Sequence, residues 1–262
     1  MNWYTKYIQK KRYTEQPKKP FTRQDFINLI PKDAHVLEIG PFYSPLLKSK
    51  KVKYFDILDQ KALKKRAVKI NQQKNVKNIP LIDYVSPTGK LEVVKEKFDI
   101  VISSHVIEHQ IDLIAHLQDV TGILNKAGLY YLLIPDKRYC FDHYINVSDL
   151  PEVVARHYEN RKSHSLKSVI EHRAFTTHSD SIRHWNKDHG DASHNQRKRI
   201  DVAVEDFKKS KGRNIDVHAW YFTPKSFEEL ITSLKKLGYI NLSVKKIYKT
   251  ERNSLEFFAI LE

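Results

Sequence analysis

Two histidines and a glutamate lie close together in the run Ser103-Ser-His-Val-Ile-Glu-His109. Histidine is the side chain whose ordinary pKa suits proton transfer near neutral pH. Nitrogen and carboxylate groups are also ligands of transition metals. If this stretch is helical, His105, Glu108 and His109 share one side of the helix. The pattern predicts an active-site lining with His109 as a candidate general base; a metal site and purely structural histidines remain alternatives.

An acid and a glycine stand where an earlier apolar run ends, in Val36-Leu-Glu-Ile-Gly-Pro41. Glycine lets a backbone approach a ligand closely. Dinucleotide enzymes carry Gly-x-Gly-x-x-Gly at such a place, to hold a pyrophosphate against a helix N-terminus. Only Gly40 is present here, which disfavours a pyrophosphate and favours a ligand made of an amino acid and a nucleoside. We predict that Glu38, Gly40 and Pro41 contact that ligand.

A second acid, Asp56, ends the next apolar run and is followed by Ile57. In Rossmann-type sites a carboxylate near this place accepts hydrogen bonds from ribose hydroxyls. Asp56 is therefore the predicted ribose ligand, with Ile57 beside it. Asp59 is a rival for the same role, and an exposed acid in a lysine-rich loop is the plain alternative.

A third acid lies in Ile82-Asp-Tyr-Val85, which we place after a third strand. At that position Asp83 would accept a hydrogen bond from the exocyclic amine of an adenine. Tyr84 or Val85 would then pack on the adenine ring.

Strands and helices that would position these residues alternate along the chain. The predicted strands cover residues 35–39, 52–57, 98–103, 129–134, 242–248 and 255–261, and the predicted helices cover residues 21–30, 60–68, 113–124 and 224–237. Such alternation favours an α/β sheet with crossover helices, and ligands of such sheets bind at the carboxyl ends of the strands. The last two strands are close enough in sequence to form a hairpin.

The alternation breaks between Pro135 and Thr223, in a polar stretch that holds nine of the 13 histidines. It is too long to be a plain loop. We predict a mostly helical insertion over residues 136–215, which acts as a substrate lid on a core of residues 31–135 and 216–262. Its histidines are expected to be scattered over the surface. Residues 1–30 would form a basic segment and a helix.

The composition limits the classes of function. The formal charge of +15 attracts anionic partners, but no arginine-rich run typical of nucleic-acid binders is present. The single cysteine, Cys140, excludes an intramolecular disulfide and is interpreted as a packed thiol. No apolar run is long enough to span a bilayer, and the first residues do not form a secretory signal. A cytoplasmic location is therefore expected, and the oligomeric state stays open.

Several of these motifs together resemble the class I S-adenosylmethionine-dependent methyltransferases; they are Glu38-Ile-Gly-Pro41, the strand-end Asp56, the run from Phe98 to His109, and the run from Leu129 to Pro135. Residues 134–142 and 216–224 are similar to a narrower bacterial group, often encoded with glycosyltransferases of surface-polysaccharide pathways. The resemblance covers about residues 33–151 and 216–262. It departs from the usual Gly-x-Gly of the first loop, which is reduced here to Gly40.

The resemblance implies a Rossmann-like seven-stranded sheet with a reversed last strand, and S-adenosylmethionine as cofactor. It implies O-methylation of a glycan or small-molecule acceptor, which can be anionic, with RNA methylation or a non-catalytic scaffold as alternatives. A nicotinamide oxidoreductase is disfavoured by the glycine pattern. The implied cofactor residues are Glu38, Gly40, Pro41, Asp56, Ile57, Asp83, Tyr84, Ser104 and His105.

The candidate bases are His109, Asp136 and His218, since the last two bracket the insertion. Arg138 and Tyr139 are assigned to the substrate, because an arginine can hold an acidic group through two hydrogen bonds. His-x-x-Glu-His is also similar to the Glu-x-x-Glu-His signature of metal-assisted O-methyltransferases of ubiquinone synthesis and small-RNA ends. His105 replaces the first acid of that signature, and we assign no metal ligand.

Overall fold

The computed structural model describes residues 20–262. Its strands are β1 Val36–Ile39, β2 Val52–Asp56, β3 Tyr84–Val85, β4 Phe98–Ser104, β5 Leu124–Pro135, β6 Val244–Tyr248 and β7 Glu256–Leu261. Its α-helices are α1 Arg23–Ile27, α2 Gln60–Lys69, α3 Leu113–Ile123, α4 Leu150–Tyr158, α5 Leu166–Ala174, α6 Ser181–Trp185, α7 Gln196–Ser210 and α8 Pro224–Lys236.

The strands form one seven-stranded sheet in the order β3-β2-β1-β4-β5-β7-β6. The first five are parallel, and β7 runs antiparallel to both of its neighbours. This confirms the predicted methyltransferase-like sheet with a reversed last strand and a terminal hairpin. The strand order reverses between β1 and β4, so the ligand crevice of such a sheet lies at their carboxyl ends.

Helices cover both faces of the sheet, which explains the continuous apolar runs of its inner strands. All four residues of β1 are buried. On one face α8 packs the side chains of Phe227, Leu230, Ile231 and Leu234 against the sheet. On the other face Phe26 of α1 packs on Tyr131 and Phe258, with ring centroids 5.2 and 4.8 Å away.

Several predicted boundaries shift in the structure. The first helix is shorter than predicted and covers only Arg23–Ile27. β5 begins at Leu124, so residues 125–128, predicted to separate helix and strand, are part of the strand. The third strand has two residues and begins at Tyr84, so the expectation that Asp83 follows this strand is wrong.

The segment between β5 and α8, which includes the predicted insertion of residues 136–215, contains the four helices α4, α5, α6 and α7. The chain leaves the sheet at Asp136 and returns beside it at Phe222, and these two residues form a parallel bridge. The segment that leads from the insertion to α8 also contacts the loop after β4, because the indole N–H of Trp220 donates to the carbonyl of Gln110 at 2.6 Å. The insertion is therefore anchored at the carboxyl end of β5, next to the ligand crevice.

Within residues 20–262, none of the helices combines the length and the apolar character that crossing a lipid bilayer requires.

Candidate functional site

A tight turn at Gly40 ends β1. Its φ of +70° lies in the left-handed region, and its N–H donates to the carbonyl of Phe55 at 2.8 Å. A Cβ at this position would lie 2.8 Å from Cγ2 of Val106, closer than real contacts allow. Glycine is therefore required here both by the backbone and by the close approach of the β4 end. Pro41 follows the turn and is buried.

Glu38 is buried beneath the loop that follows this turn. Its carboxylate accepts hydrogen bonds from the N–H groups of Leu46 and Leu47, at 2.8 and 3.2 Å. Burial raises the pKa of Glu38 to about 7, although the two backbone hydrogen bonds oppose the rise. Glu38 thus fixes the loop that borders the crevice.

The carboxylate of Asp56 lies at the carboxyl end of β2 and is largely buried, with 7% of its surface exposed. The N–H of Leu58 donates to Oδ1 at 3.3 Å. Within residues 20–262 no side chain donates to this carboxylate, and burial raises its pKa to about 6. The rival Asp59 instead caps α2, where Oδ1 accepts from the N–H of Ala62 at 2.7 Å. Of the two acids, Asp56 is the one available to a ligand.

Asp83 is occupied by protein groups. Its carboxylate accepts from the N–H of Tyr54 at 2.9 Å and from Nζ of Lys53 at 3.0 Å. The hydroxyl of Tyr84 donates to Glu96, and burial raises the pKa of this phenol. Ile57, the remaining residue assigned to this side of the crevice, is exposed.

Ser86 and Thr88 are the polar side chains that follow β3, in place of Asp83. Ser86 is buried, and its Oγ lies 3.1 Å from Oγ1 of Thr88. Sequence reasoning missed both residues, because the motif was aligned with the wrong end of a two-residue strand.

Residues 103–109 do not form a continuous helix, so the condition under which His105, Glu108 and His109 would share one side of a helix is not met. Ser104 ends β4 half-buried, His105 adopts a left-handed φ of +54°, and only Ile107–His109 form a short 3₁₀ helix. The two histidines consequently point to different partners. Nε2 of His105 lies 2.9 Å from Oε2 of Glu256, and Nδ1 of His109 lies 2.9 Å from Oδ1 of Asp216.

His218 and Asp142 form a buried pair at the base of the insertion. Nδ1 of His218 lies 2.7 Å from Oδ2 of Asp142. Its Nε2 faces Glu108, whose Oε1 is 3.9 Å away. Glu108 is fully buried, and neither of its carboxylate oxygens has a hydrogen-bond partner in the described part of the chain. A histidine held at one nitrogen by a carboxylate is oriented to accept a proton at the other.

Sequence reasoning chose His218 but missed Asp142, which lies within the 134–142 segment used for the family resemblance. Only the fold shows that this segment meets residue 218, because the two partners are 76 positions apart in the chain.

Glu108, His109 and His218 could also hold a divalent cation, since one potential ligand atom of each lies within 4.8 Å of the others. Both histidines have a carboxylate at their other nitrogen, Asp216 for His109 and Asp142 for His218. Outer carboxylates of this kind support histidine ligands. Burial by itself would lower the pKa of His109, but hydrogen bonding to Asp216 and the charge of Glu108 outweigh it, so this pKa is raised.

Asp136 is fully buried and its carboxylate is saturated. Nε and a terminal nitrogen of Arg138 donate to its two oxygens at 2.9 and 2.6 Å, and the hydroxyl of Thr250 donates at 2.6 Å. Its oxygens are therefore poorly placed to take a substrate proton. The two-pronged contact foreseen between Arg138 and a substrate is made inside the protein instead.

Arg138 and Tyr139 border a cavity of about 740 Å³ on the side of the sheet where β6 lies. The ring of Tyr139 is stacked on Trp185, with centroids 3.9 Å apart. The cavity is also lined by four lysines and by Glu228; the lysines are Lys225, Lys245, Lys246 and Lys249. This lining suits an anionic ligand with a flat or apolar part.

A charged bridge crosses the carboxyl edge of the sheet. The guanidinium of Arg66 in α2 lies 2.5 Å from Oδ2 of Asp216, whose other oxygen is bound to His109. The hydrogen bond with His109 is the main cause that lowers the pKa of Asp216. The bridge joins the helix after β2 to the point where the insertion ends.

No protein-family model and no curated protein matches this sequence. Among solved structures, an S-adenosylmethionine-dependent methyltransferase from Clostridium acetobutylicum is similar at 11% identity and a TM-score of 0.44, covering 100% of this chain and 99% of that one. The CcbJ methyltransferase from Streptomyces caelestis is similar at 8% identity and a TM-score of 0.43, covering 90% and 86%. The methyltransferase domain of bacterial CtHen1-CN is similar at 14% identity and a TM-score of 0.41, covering 87% of this chain and 90% of that one. The strand order of the sheet, rather than these distant similarities, supports the fold assignment.

Proposed function

We propose that this chain is an S-adenosylmethionine-dependent methyltransferase that methylates a hydroxyl group of a glycan or glycan precursor. The assignment of the cofactor rests on the Asp56 carboxylate. This group is buried beside the Gly40 turn, near the point where the strand order reverses, and no side chain of the described residues donates a hydrogen bond to it. Such a group is positioned to accept hydrogen bonds from the two hydroxyls of a ribose.

The residues around the crevice fit this cofactor. Gly40 presents bare backbone, because a side chain would collide with Val106. Glu38 holds the loop after β1 through the N–H groups of Leu46 and Leu47. When bound, the cofactor supplies a methyl group on a positively charged sulfur. The protein then has to align and desolvate the acceptor, and alignment alone is worth about 7–11 kcal/mol.

A hydroxyl acceptor must lose its proton as it is methylated, and His218 is the group proposed to take it. Nδ1 of His218 is held by Asp142, which leaves Nε2 to accept the proton, and the buried carboxylate stabilises the imidazolium that forms. A base in this position contributes roughly 10²–10⁴-fold to the rate. His109 belongs to the same group of side chains but is bound to Asp216.

The glycan acceptor is proposed because residues 134–142 and 216–224 resemble the bacterial methyltransferases that are often encoded with glycosyltransferases. The cavity beside Tyr139 supports an acceptor that carries negative charge. Among the described residues, Lys246 and Lys249 form no ion pair and supply the positive potential. Lys225 is paired with Glu229, Lys245 with Glu262, and Arg138 with Asp136. The net charge of +15 favours RNA as a second candidate acceptor. Binding to RNA would weaken steeply with salt, whereas a small anionic glycan would show a shallow salt dependence.

Calorimetry with S-adenosylmethionine tests the cofactor. The wild-type chain should bind it, and Asp56→Asn should bind it much more weakly. Asp59→Asn is the matched control, because asparagine preserves the cap of α2 and the change lies three positions away. Absence of binding by folded wild-type protein would contradict the proposal, and equal binding by both variants would remove Asp56 from the site. Transfer of a labelled methyl group to acidic glycan precursors or to RNA then identifies the acceptor.

A further inference from the structure

Three histidines of the insertion meet outside the proposed catalytic site, and we call them the three-histidine cluster: His143, His184 and His189. His143 lies shortly after β5, His184 lies in α6, and His189 lies in the loop that follows α6. Their ring centroids are separated by 3.6 Å for 143 and 189, by 5.3 Å for 184 and 189, and by 5.6 Å for 143 and 184. The expectation that the insertion histidines are scattered over the surface is wrong for these residues.

The outer nitrogens of two members are held by backbone carbonyls. Nε2 of His184 lies 2.9 Å from the carbonyl of His178, and Nδ1 of His143 lies 2.8 Å from the carbonyl of Arg138. A carbonyl accepts only, so each of these nitrogens carries the proton. The other nitrogen of each neutral ring then keeps its lone pair. Metal-bound histidines show this arrangement, with the second ring nitrogen donating to a carbonyl or carboxylate.

The available nitrogens lie close enough to share one ion. Nδ1 of His184 is 3.0 Å from Nδ1 of His189, and one nitrogen from each ring lies within 4.8 Å of the others. With metal–nitrogen bonds of 2.0–2.1 Å in tetrahedral geometry, ligand nitrogens stand about 3.4 Å apart. The rings of His143 and His189 are stacked with their centroids 3.6 Å apart, so His143 must turn out of this stack before its Nε2 can reach the same ion.

The loop that presents His189 is held in an unfavourable backbone conformation. Lys187 has a φ of +66°, a left-handed value that a lysine rarely adopts, and Gly190 has a φ of +69°. The hydroxyl of Tyr144 donates to the carbonyl of Gly190 at 3.0 Å, which ties the loop back to the residue next to His143.

The cluster is also suited electrostatically to neutral ligands. Burial is the main cause that lowers the pKa of both His184 and His189, and the neighbouring histidines lower it further. No carboxylate forms an ion pair with His143, His184 or His189 among the described residues. Burial therefore favours the neutral form of His184 and His189, which is the form of histidine that binds a metal ion.

We infer that the three-histidine cluster binds a divalent transition-metal ion of the zinc class through three imidazole nitrogens, with a fourth position open to solvent. Imidazole is a ligand preferred by zinc and its neighbours in the series, and three protein ligands with one open position are a common zinc arrangement. The ion would connect the segment after β5 to the loop after α6. It would thereby fix Trp185, next to His184, against Tyr139 on the wall of the lysine-lined cavity. This inference does not depend on the proposed methyltransferase activity.

Zinc titration of the full-length, chelator-treated protein, freed of any polyhistidine tag, tests the site. Calorimetry with Zn²⁺ and the visible absorption of bound Co²⁺ should both show one metal ion bound per chain. This bound equivalent should disappear in His189→Ala and in His143→Ala. His194→Ala is the matched control, since His194 is an exposed histidine of the same insertion outside the cluster. Glu108→Gln separates this site from the set around His218, and it should leave the equivalent intact.

Thermal melting gives an independent measurement on the same proteins. Zn²⁺ should raise the Tm of the wild type and of the control variants His194→Ala and Glu108→Gln. The Tm of His189→Ala and of His143→Ala should be the same with and without Zn²⁺. The two cluster variants remove partly exposed rings, and circular dichroism confirms their folding before the titration. Retention of the equivalent by both cluster variants would overturn the inference. So would its loss in Glu108→Gln alone, or the absence of zinc binding by wild type.

Discussion

Burial gives Asp56 an unusual ionisation. Its carboxylate is largely removed from water, receives one backbone hydrogen bond within the limits of a normal contact, and has a pKa of about 6. In the folded protein without ligand it is therefore partly protonated in mildly acidic solution. A ribose would donate two hydrogen bonds to this group, and the ionised form accepts both. The proposed function therefore predicts that cofactor binding and proton release are linked at this residue.

The affinity for S-adenosylmethionine should rise as the pH is raised through about 6, and level off above it. Below this pH each further unit costs at most about tenfold in affinity, because the proton must first leave. Folding has the opposite dependence: a raised carboxyl pKa stabilises the folded state at low pH, and this contribution is lost as the pH rises through about 6. Calorimetry between acidic and neutral pH measures the effect. Asp56→Asn, which cannot ionise, should lose this step; a step of equal size in the variant would contradict the assignment.

His218→Asn should lower kcat by about 10²–10⁴-fold if His218 is the base, while the affinity for S-adenosylmethionine changes little. Asp142→Asn should lower kcat by a smaller factor, because the imidazole remains but loses its orienting carboxylate. The measurement is steady-state methyl transfer to the acceptor identified above.

His157→Asn serves as the control for this series. Its ring pairs with Asp112 through Nδ1 at 2.9 Å and takes no part in the buried group around Glu108. An equal loss of kcat in the control, or full activity of His218→Asn, would show that another group takes the proton. A requirement for added divalent metal that persists in His189→Ala would instead indicate that Glu108, His109 and His218 act as ligands.

Among the elements, those with strong local signals are predicted well. Thr223 and Pro224 mark the start of α8, its apolar face repeats with helical spacing, and Gly238 ends it with a φ of +78°. These signals lie within the helix or directly beside it, so the sequence alone contains them. β3 is too short to have a periodic pattern, which is why Asp83 was placed on its wrong side.

The structure of the 103–109 segment depends on contacts that the sequence does not display. Its left-handed residue, His105, lies directly before Val106, and Val106 packs where a side chain at residue 40 would have to be. Likewise, Asp142 meets His218 only because the insertion returns to the end of β5. The position of these residues at the carboxyl edge of the sheet is therefore predictable from the sequence, whereas the pairing of their side chains is not.

Thr223→Ala should destabilise the protein by about 1 kcal/mol, because α8 loses a capping box in which Thr223 and Ser226 bond each other's backbone N–H. Chemical denaturation measures the free energy of unfolding. Ser233→Ala in the same helix is the control; its exposed hydroxyl bonds only the carbonyl of Glu229, so its effect should stay within about 0.5 kcal/mol. Similar losses in both variants would show that capping is not the cause.

At the level of the whole molecule, the bridge from Arg66 to Asp216 joins α2 to the segment that follows the insertion. Both side chains are substantially exposed, so the pair itself contributes little to global stability. Its position across the carboxyl edge gives it a different effect, on local opening above the crevice.

Arg66→Gln should therefore leave the Tm nearly unchanged while hydrogen exchange becomes faster at residues 211–218. The reason is that Asp216 keeps His109 but loses its contact with α2. Arg161→Gln is the control, because Arg161 pairs with Glu159 only two residues away and connects no separate elements. Unchanged exchange at residues 211–218 would show that the bridge does not restrain the insertion.

The two margins of the sheet have a consequence for the behaviour of the protein at high concentration. One margin is β3, which has only two residues, and the other is β6, whose outer positions include Lys245 and Lys246. An open strand margin is a template on which further chains can add and grow into aggregates, and short strands and lysines both hinder that addition. Lys245 and Lys246, which also line the cavity, thus hinder edge-to-edge polymerisation. Replacing them with apolar residues is expected to remove positive charge from the cavity and to promote the formation of fibres.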